Sequence, residues 1–341
     1  MNTYSALRQC GWLDLEQLRD RDILVTGGTG LIGYNVLLEL SRLQREYGLR
    51  LHALVRSKSK ACRRFSAFQD SVNLIEGDIC GEIPMDGPLD YIIHGASVTS
   101  SRFFVDQPVE TIMTSVQGTR NLLELARAKG VRSMVYLSSM EVYGTTDRRQ
   151  PLDESMLGYL DPLNIRSSYP ESKRMCESLC VAYAKEYGVP VKIARLAQTF
   201  GPGLQTEDKR VVVQFLQSAL TRQNIEIKAS GASARMYLYT FDAVTALLTL
   251  MFMGENGVAY NVANKDTYCS IRALAETIVG VTGSDSRVLV NTGSEEERRM
   301  YPPDSFLQLD TGKLEALGWK AGYDLKESIR MLWQHMEGDV R

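Results

Sequence analysis

The 341-residue chain carries 39 Lys plus Arg against 41 Asp plus Glu, a formal net charge of -2, and 44% hydrophobic residues. That balance is ordinary for a globular protein, with chain enough for two domains or one large α/β domain with an appendage. It excludes a basic nucleic-acid footprint spread over the whole surface, and no apolar run approaches the ~20 residues of a membrane-spanning helix. The opening residues intersperse Arg8, Asp14, Glu16, Arg19 and Asp20 among apolar positions, which breaks the continuous apolar core of a signal peptide, so a cytoplasmic protein with reduced thiols is expected. Cys176 and Cys180 lie one helical turn apart, but no second pair or nearby histidine completes a zinc set, so no metal is expected and buried thiols are the better reading.

In chain order, residues 1–19 read as a short helical extension packed on the outside through Leu13, Leu15 and Leu18. Short β-branched runs then alternate with amphipathic stretches. Ile23 to Val25, Leu51 to Val55, Val72 to Ile75, Tyr91 to Ile93, Met134 to Leu137 and Val191 to Leu196 predict buried parallel strands. Leu31 to Leu43, Val109 to Ala128 and Glu171 to Tyr187 predict helices. The alternation implies an α/β fold of the Rossmann type, a doubly wound parallel sheet that binds ligands at the carboxyl ends of its strands. After about Ala197 the rhythm loosens into Gly- and Pro-marked turns, predicting a smaller, intertwined C-terminal α/β domain. We expect residues 20–196 plus about 237–264 in the dinucleotide-binding domain, and about 197–236 plus 265–341 in the second.

The first predicted strand runs into Gly27-Gly28-Thr29-Gly30-Leu31-Ile32-Gly33 and then a helix. Strand, glycine turn and helix form the setting in which backbone N–H groups and a positive helix end cradle a pyrophosphate. Gly27 permits the turn, Gly30 admits the phosphates, and Gly33 lets helix and sheet approach. Tyr169 and Lys173 sit four apart, so a helix places both on one face. An ammonium there, with a nicotinamide cation, is expected to lower the phenol's pKa toward working pH, making Tyr169 a base for a hydroxyl proton.

The glycine spacing, followed by Gly77-Asp78-Ile79, His94-Gly95-Ala96-Ser97, Ser138-Ser139-Met140-Glu141 and Tyr169-Pro170-Glu171-Ser172-Lys173, resembles the extended short-chain dehydrogenases/reductases of the NAD-dependent epimerase/dehydratase type. The resemblance implies a dinucleotide on Gly27, Thr29, Gly30, Leu31, Ile32 and Gly33, adenine at Asp78 and Ile79, and the nicotinamide ribose near His94, Ala96, Tyr169 and Lys173. It implies catalysis by Ser139, Tyr169 and Lys173. Glu141 matches an acid of the sugar-nucleotide decarboxylases and dehydratases, and its bland alternative is a solvated loop carboxylate. Arg56 stands where many relatives carry an acidic residue for the ribose hydroxyls and suits a 2′-phosphate, so NAD and NADP both stay open.

Arg166 to Arg174 resembles the segment around the catalytic Tyr of UDP-glucuronate decarboxylases. Met140 replaces the Asp of the 4,6-dehydratases, and a thioether donates no proton. The preferred substrate class is a nucleotide-diphosphate sugar, with Thr99, Gln198, Arg210, Arg235 and Arg299 as implied ligands. The expected reaction is transient C4 oxidation with decarboxylation of a UDP-glucuronate-like substrate. Alternatives are a 4-epimerase, less readily a 4,6-dehydratase, and from other classes an NAD(P)H-dependent carbonyl reductase or a non-catalytic dinucleotide-binding protein. Family members dimerise through helices like Val109–Ala128 and Glu171–Tyr187, which implies a homodimer.

Overall fold

The structure is a computed structural model describing residues 5–146, 150–204, 208–291 and 304–340. Its strands are β1 (Asp22–Thr26), β2 (Arg50–Val55), β3 (Val72–Glu76), β4 (Tyr91–His94), β5 (Ser133–Ser139), β6 (Val191–Leu196), β7 (Gln198–Phe200), β8 (Ile225–Ile227), β9 (Ala234–Arg235), β10 (Tyr237–Tyr239), β11 (Ala259–Val262), β12 (Cys269–Ser270), β13 (Val288–Val290) and β14 (Phe306–Leu307). The helices are α1 (Leu31–Ser41), α2 (Gln44–Tyr47), α3 (Lys58–Arg64), α4 (Ser101–Asp106), α5 (Pro108–Lys129), α6 (Ser168–Tyr187), α7 (Val211–Leu220), α8 (Thr240–Met253), α9 (Ile271–Thr282), α10 (Gly312–Glu315) and α11 (Leu325–Val340).

Seven strands pair in the order β11-β6-β5-β4-β1-β2-β3, all parallel. The six strands expected from the apolar runs are all present, and β1 and β6 are buried along their whole length, as strands covered on both faces must be. Helices α1 and α8 cover one face, where Val36, Leu40, Leu247 and Leu250 are fully buried; α5 and α6 cover the other through Leu122, Leu123, Cys176 and Cys180. Both thiols of α6 are thus core groups. Chain direction across the sheet reverses between β1 and β4, which opens a crevice at their carboxyl ends.

Beyond β6, short pairs β7–β10, β8–β13 and β12–β9–β14 form with α7, α9 and α11 around a separate core that includes Phe200, Leu216, Leu274 and Ile329. The amino-terminal extension departs from the expected single helix. It makes two 3-10 turns, Ala6–Gln9 and Leu15–Leu18. The Ser5 and Asp14 side chains accept from the N–H groups of Leu7 and Glu16 and so start the chain afresh at each turn. Leu7 and Leu18 are fully buried, and Trp12 Nε1 donates to Thr249 Oγ1 on α8 at 3.1 Å. Among the described residues no helix is long and apolar enough to cross a membrane, and no cluster of His, Cys, Asp and Glu could hold a metal ion.

Candidate active site

The crevice is built first from backbone. Gly27 adopts φ +70°, and a Cβ there would lie 2.5 Å from the Gly95 carbonyl carbon, so the turns after β1 and β4 touch. A Cβ on Gly33 would lie 2.5 Å from the Gly27 oxygen. Only glycine allows α1 to begin this close to the strand. Gly30, by contrast, faces open space apart from one carbonyl, and it caps α1 without a side-chain hydrogen bond. Thr29 and Gly30 are exposed and Leu31 and Ile32 half-buried, leaving the first-turn N–H groups for an anion. The cradle fits a dinucleotide pyrophosphate.

Around it, His94 ends β4 fully buried. Its Nδ1 lies 2.9 Å from Thr26 Oγ1 and its Nε2 3.1 Å from Thr119 Oγ1. Thr26 Oγ1 also accepts from Ala96 N–H, and Thr119 Oγ1 donates to Cys176 Sγ, which fits a neutral imidazole protonated on Nε2. Burial, with the Lys173 charge, pushes the His94 pKa down to about 3. Both imidazole nitrogens are therefore engaged within the strand end. Asp78 is exposed; one of its oxygens accepts from Cys80 N–H at 2.8 Å, while Ile79 is buried against Gly118 of α5. Arg56 is exposed at the end of β2, and nearby the Lys58 N–H donates to Glu76 Oε1 at 3.1 Å.

Strand β5 delivers Ser139 to the crevice, and α6 delivers Tyr169 and Lys173. Ser139 Oγ accepts from the Glu141 N–H at 3.2 Å. This leaves its own hydrogen uncommitted, and Ser139 lies close enough to the Tyr169 phenol to favour the ionised form. Lys173 Nζ donates to the Leu137 carbonyl at 2.7 Å and lies over the rings of Tyr136 and Tyr169, 4.8 and 5.7 Å from their centroids. Burial brings the Lys173 pKa down to about 8. The expectation that an ammonium and a nicotinamide cation together lower the phenol's pKa concerns the site with its cofactor bound. Burial raises Tyr169 well above its ordinary value, and the Glu141 charge adds to that; the Ser139 hydrogen bond and the charges of Arg166 and Arg210 pull the other way. In the protein alone, the ammonium over the ring face, itself bonded to a carbonyl, does not offset the desolvation.

The Glu141 side chain is 35% exposed, so it meets solvent while holding a partner. It pairs with Arg166 at 2.9 Å. Met140 is half-buried and packs against the core. Behind the site, Glu177, one turn beyond Lys173, accepts from Ser138 Oγ at 2.6 Å and from Arg195 Nη2 at 2.7 Å; Arg195 Nη1 reaches Tyr143 Oη at 3.1 Å. This buried network ties α6 to β5 and β6. Neither it nor Phe104, whose ring stacks on Tyr169 at 4.3 Å and 7°, carries a local sequence signal.

On the far wall, Gln198 opens β7 half-buried. Arg210, at the start of α7, donates to the Thr199 carbonyl at 2.8 Å, pairs with Asp208, and is close enough for its charge to act on Tyr169. Arg235 is half-buried on β9, with its Nε buried and without a partner among the described residues. Thr99 is exposed in the loop after β4. Arg299 lies outside the described residues.

Residues 23–263 match the model of a family described as the NAD dependent epimerase/dehydratase family. UDP-glucuronic acid decarboxylase 6 of Arabidopsis thaliana is 30% identical over 319 residues, 94% of this chain and 88% of that protein. UDP-glucuronic acid decarboxylase 1 of Xenopus tropicalis is 30% identical over 307 residues, 90% of this chain and 70% of that protein. The fold is also that of Thermotoga maritima UDP-glucose 4-epimerase, crystallised with UDP-glucose. The TM-score is 0.79 at 22% identity, covering 94% of this chain and 100% of the other.

Proposed function

The chain belongs to the NAD dependent epimerase/dehydratase family, and from that premise we propose that it decarboxylates a UDP-glucuronate-like nucleotide sugar through transient oxidation at C4. The observation that carries this reading is the convergence of Ser139, Tyr169, Lys173 and an Arg-paired Glu141 beside the glycine cradle, with a thioether, Met140, between Ser139 and Glu141. The likeness to two UDP-glucuronic acid decarboxylases supports the substrate.

A nicotinamide dinucleotide bound in the cradle supplies a hydride acceptor and later returns the hydride. Tyr169, with Ser139 donating to the same substrate oxygen, takes the C4 hydroxyl proton as the ketone forms. That ketone is β to the C6 carboxylate, so carbon dioxide leaves with its bonding electrons retained as an enolate. A proton must then reach C5, and Glu141 is the acid–base group on the turn beside Ser139. Tyr169 finally returns its proton to the C4 oxygen. Arg235, with an unpartnered buried Nε, is suited to the diphosphate, and Gln198 and Arg210 to the rest of the substrate.

A 4-epimerase is the second reading, because the same three residues start both reactions. Incubation with UDP-glucuronate and mass spectrometry separates them: loss of carbon dioxide supports decarboxylation, an isobaric product supports epimerisation, and no turnover of any nucleotide sugar overturns both. We also propose a homodimer through α5 and α6, whose outer faces leave Val109, Met113, Met175 and Val181 exposed. Light scattering is expected to give about twice the 38.2 kDa chain mass; a monomer at micromolar concentration contradicts it.

A further inference from the structure

Tyr169 does not stand alone in the crevice wall. The Phe104 ring lies parallel to it, centroids 4.3 Å apart and planes 7° from one another. The same Phe104 ring carries the Arg166 guanidinium, 4.8 Å from its centroid, and Arg166 holds Glu141 at 2.9 Å. We propose that Phe104 and Arg166 are positioning residues of the catalytic corner, Phe104 setting the plane of the Tyr169 ring and Arg166 setting the direction and charge balance of Glu141. The proposal rests on the reading of Tyr169 as the proton-transfer group.

The backbone around both residues is built to hold them. Ser168 Oγ donates to the Phe104 carbonyl at 2.9 Å, which joins α4 to α6 at the residue preceding Tyr169. Phe104 is 1% exposed although α4 is only six residues long. Asn164 Oδ1 accepts from the Arg166 N–H at 2.9 Å and so fixes the turn that presents the guanidinium. A stacked ring cannot rotate without separating from its neighbour, and a planar guanidinium on an aromatic face loses little further freedom on meeting a carboxylate.

The electrostatics follow from the geometry. The groups facing Tyr169 are Tyr136 and Ser139 from β5, Glu141 just after it, Lys173 on its own helix, Arg166 before that helix, and Arg210 capping α7. Arg166 and Arg210 favour the ionised phenol and Glu141 opposes it. Without Arg166, Glu141 faces the phenol unbalanced and proton transfer needs a higher pH.

The test uses the full chain saturated with NAD and labelled with 13Cζ-tyrosine, the Tyr169 resonance being identified by Tyr169→Phe. Arg166→Gln is expected to raise the pH at which that resonance titrates by about 0.5–1 unit, and to move the acid limb of kcat the same way. Arg166→Lys keeps the charge and restores most of the shift. Phe104→Leu is expected to lower kcat about tenfold with KM within about twofold, because it disturbs orientation and leaves binding groups in place. An unmoved Tyr169 titration in Arg166→Gln, or Arg166→Lys behaving as Arg166→Gln, overturns the proposal. The titration needs no sugar, so a failure to decarboxylate UDP-glucuronate is read separately.

Discussion

The proposed catalytic corner and the proposed adenosine edge are both built at strand ends of one sheet, yet by opposite means. At the corner, Tyr169 and Lys173 are 8% and 4% exposed, and Lys173, Ser139, Glu141 and Arg166 all hold identified hydrogen-bond or ion-pair partners. At the edge, Arg56, Lys58 and Lys60 are exposed, and what fixes them is backbone: the Lys58 and Lys60 N–H groups bonded to Glu76 and Ser57. A buried site works through exact placement in a low dielectric, where a single lost group is costly. A solvated edge works through summed charge, screened by salt, where single losses are mild. The near-neutral total charge therefore conceals a local basic field of five residues in the nine positions from Arg56 to Arg64.

Substitution tests that contrast directly. Tyr169→Phe removes the proposed proton-transfer group, and kcat is expected to fall by about 10²–10⁴-fold; a fall below tenfold in steady-state assays would break the distinction at its strongest point. Glu177→Ala leaves Arg195 as an uncompensated buried cation, for a stability loss of roughly 3–5 kcal/mol in urea denaturation. A loss under about 1 kcal/mol would mean that the network behind Lys173 is not holding α6.

His94 sharpens the comparison through pH. Its folded pKa, about 3, lies below the ordinary 6.5, so the unfolded chain binds a proton that the folded one refuses. Stability attributable to His94 is thus present above pH 6.5 and lost as pH falls, by about 2 kcal/mol at pH 5. A His94→Gln variant should lose less stability than the parent between pH 6.5 and 5; parallel losses would contradict the buried neutral imidazole. Smallest is the edge: Arg56→Ala is expected to weaken NADP about two- to fivefold and leave NAD unchanged in calorimetric titration. A hundredfold loss would make the edge a built site like the corner.

What was legible in the sequence follows the same division. Glycines at 27, 30 and 33 and the Tyr169–Lys173 spacing are local patterns, and so are the apolar runs of β1 to β6. Contacts across 60 or more residues leave no such trace: Phe104 on Tyr169, Ser168 on Phe104, and Asn261 accepting from Tyr143 Oη at 2.7 Å. Spacing likewise identifies the ammonium beside Tyr169 but not the depth at which the phenol is buried. The extension was misread because leucine spacing alone does not reveal that the Ser5 and Asp14 side chains break the helix into two turns.

The central claim is that hydride leaves C4 and returns to the same carbon while carbon dioxide is lost. Turnover of UDP-glucuronate deuterated at C4, followed by mass spectrometry with the cofactor monitored by absorbance, tests it most directly. A decarboxylated nucleotide sugar that keeps its deuterium is expected, with no stoichiometric accumulation of reduced cofactor. A product that has lost the label to solvent, or one reduced cofactor formed per sugar consumed, would contradict it.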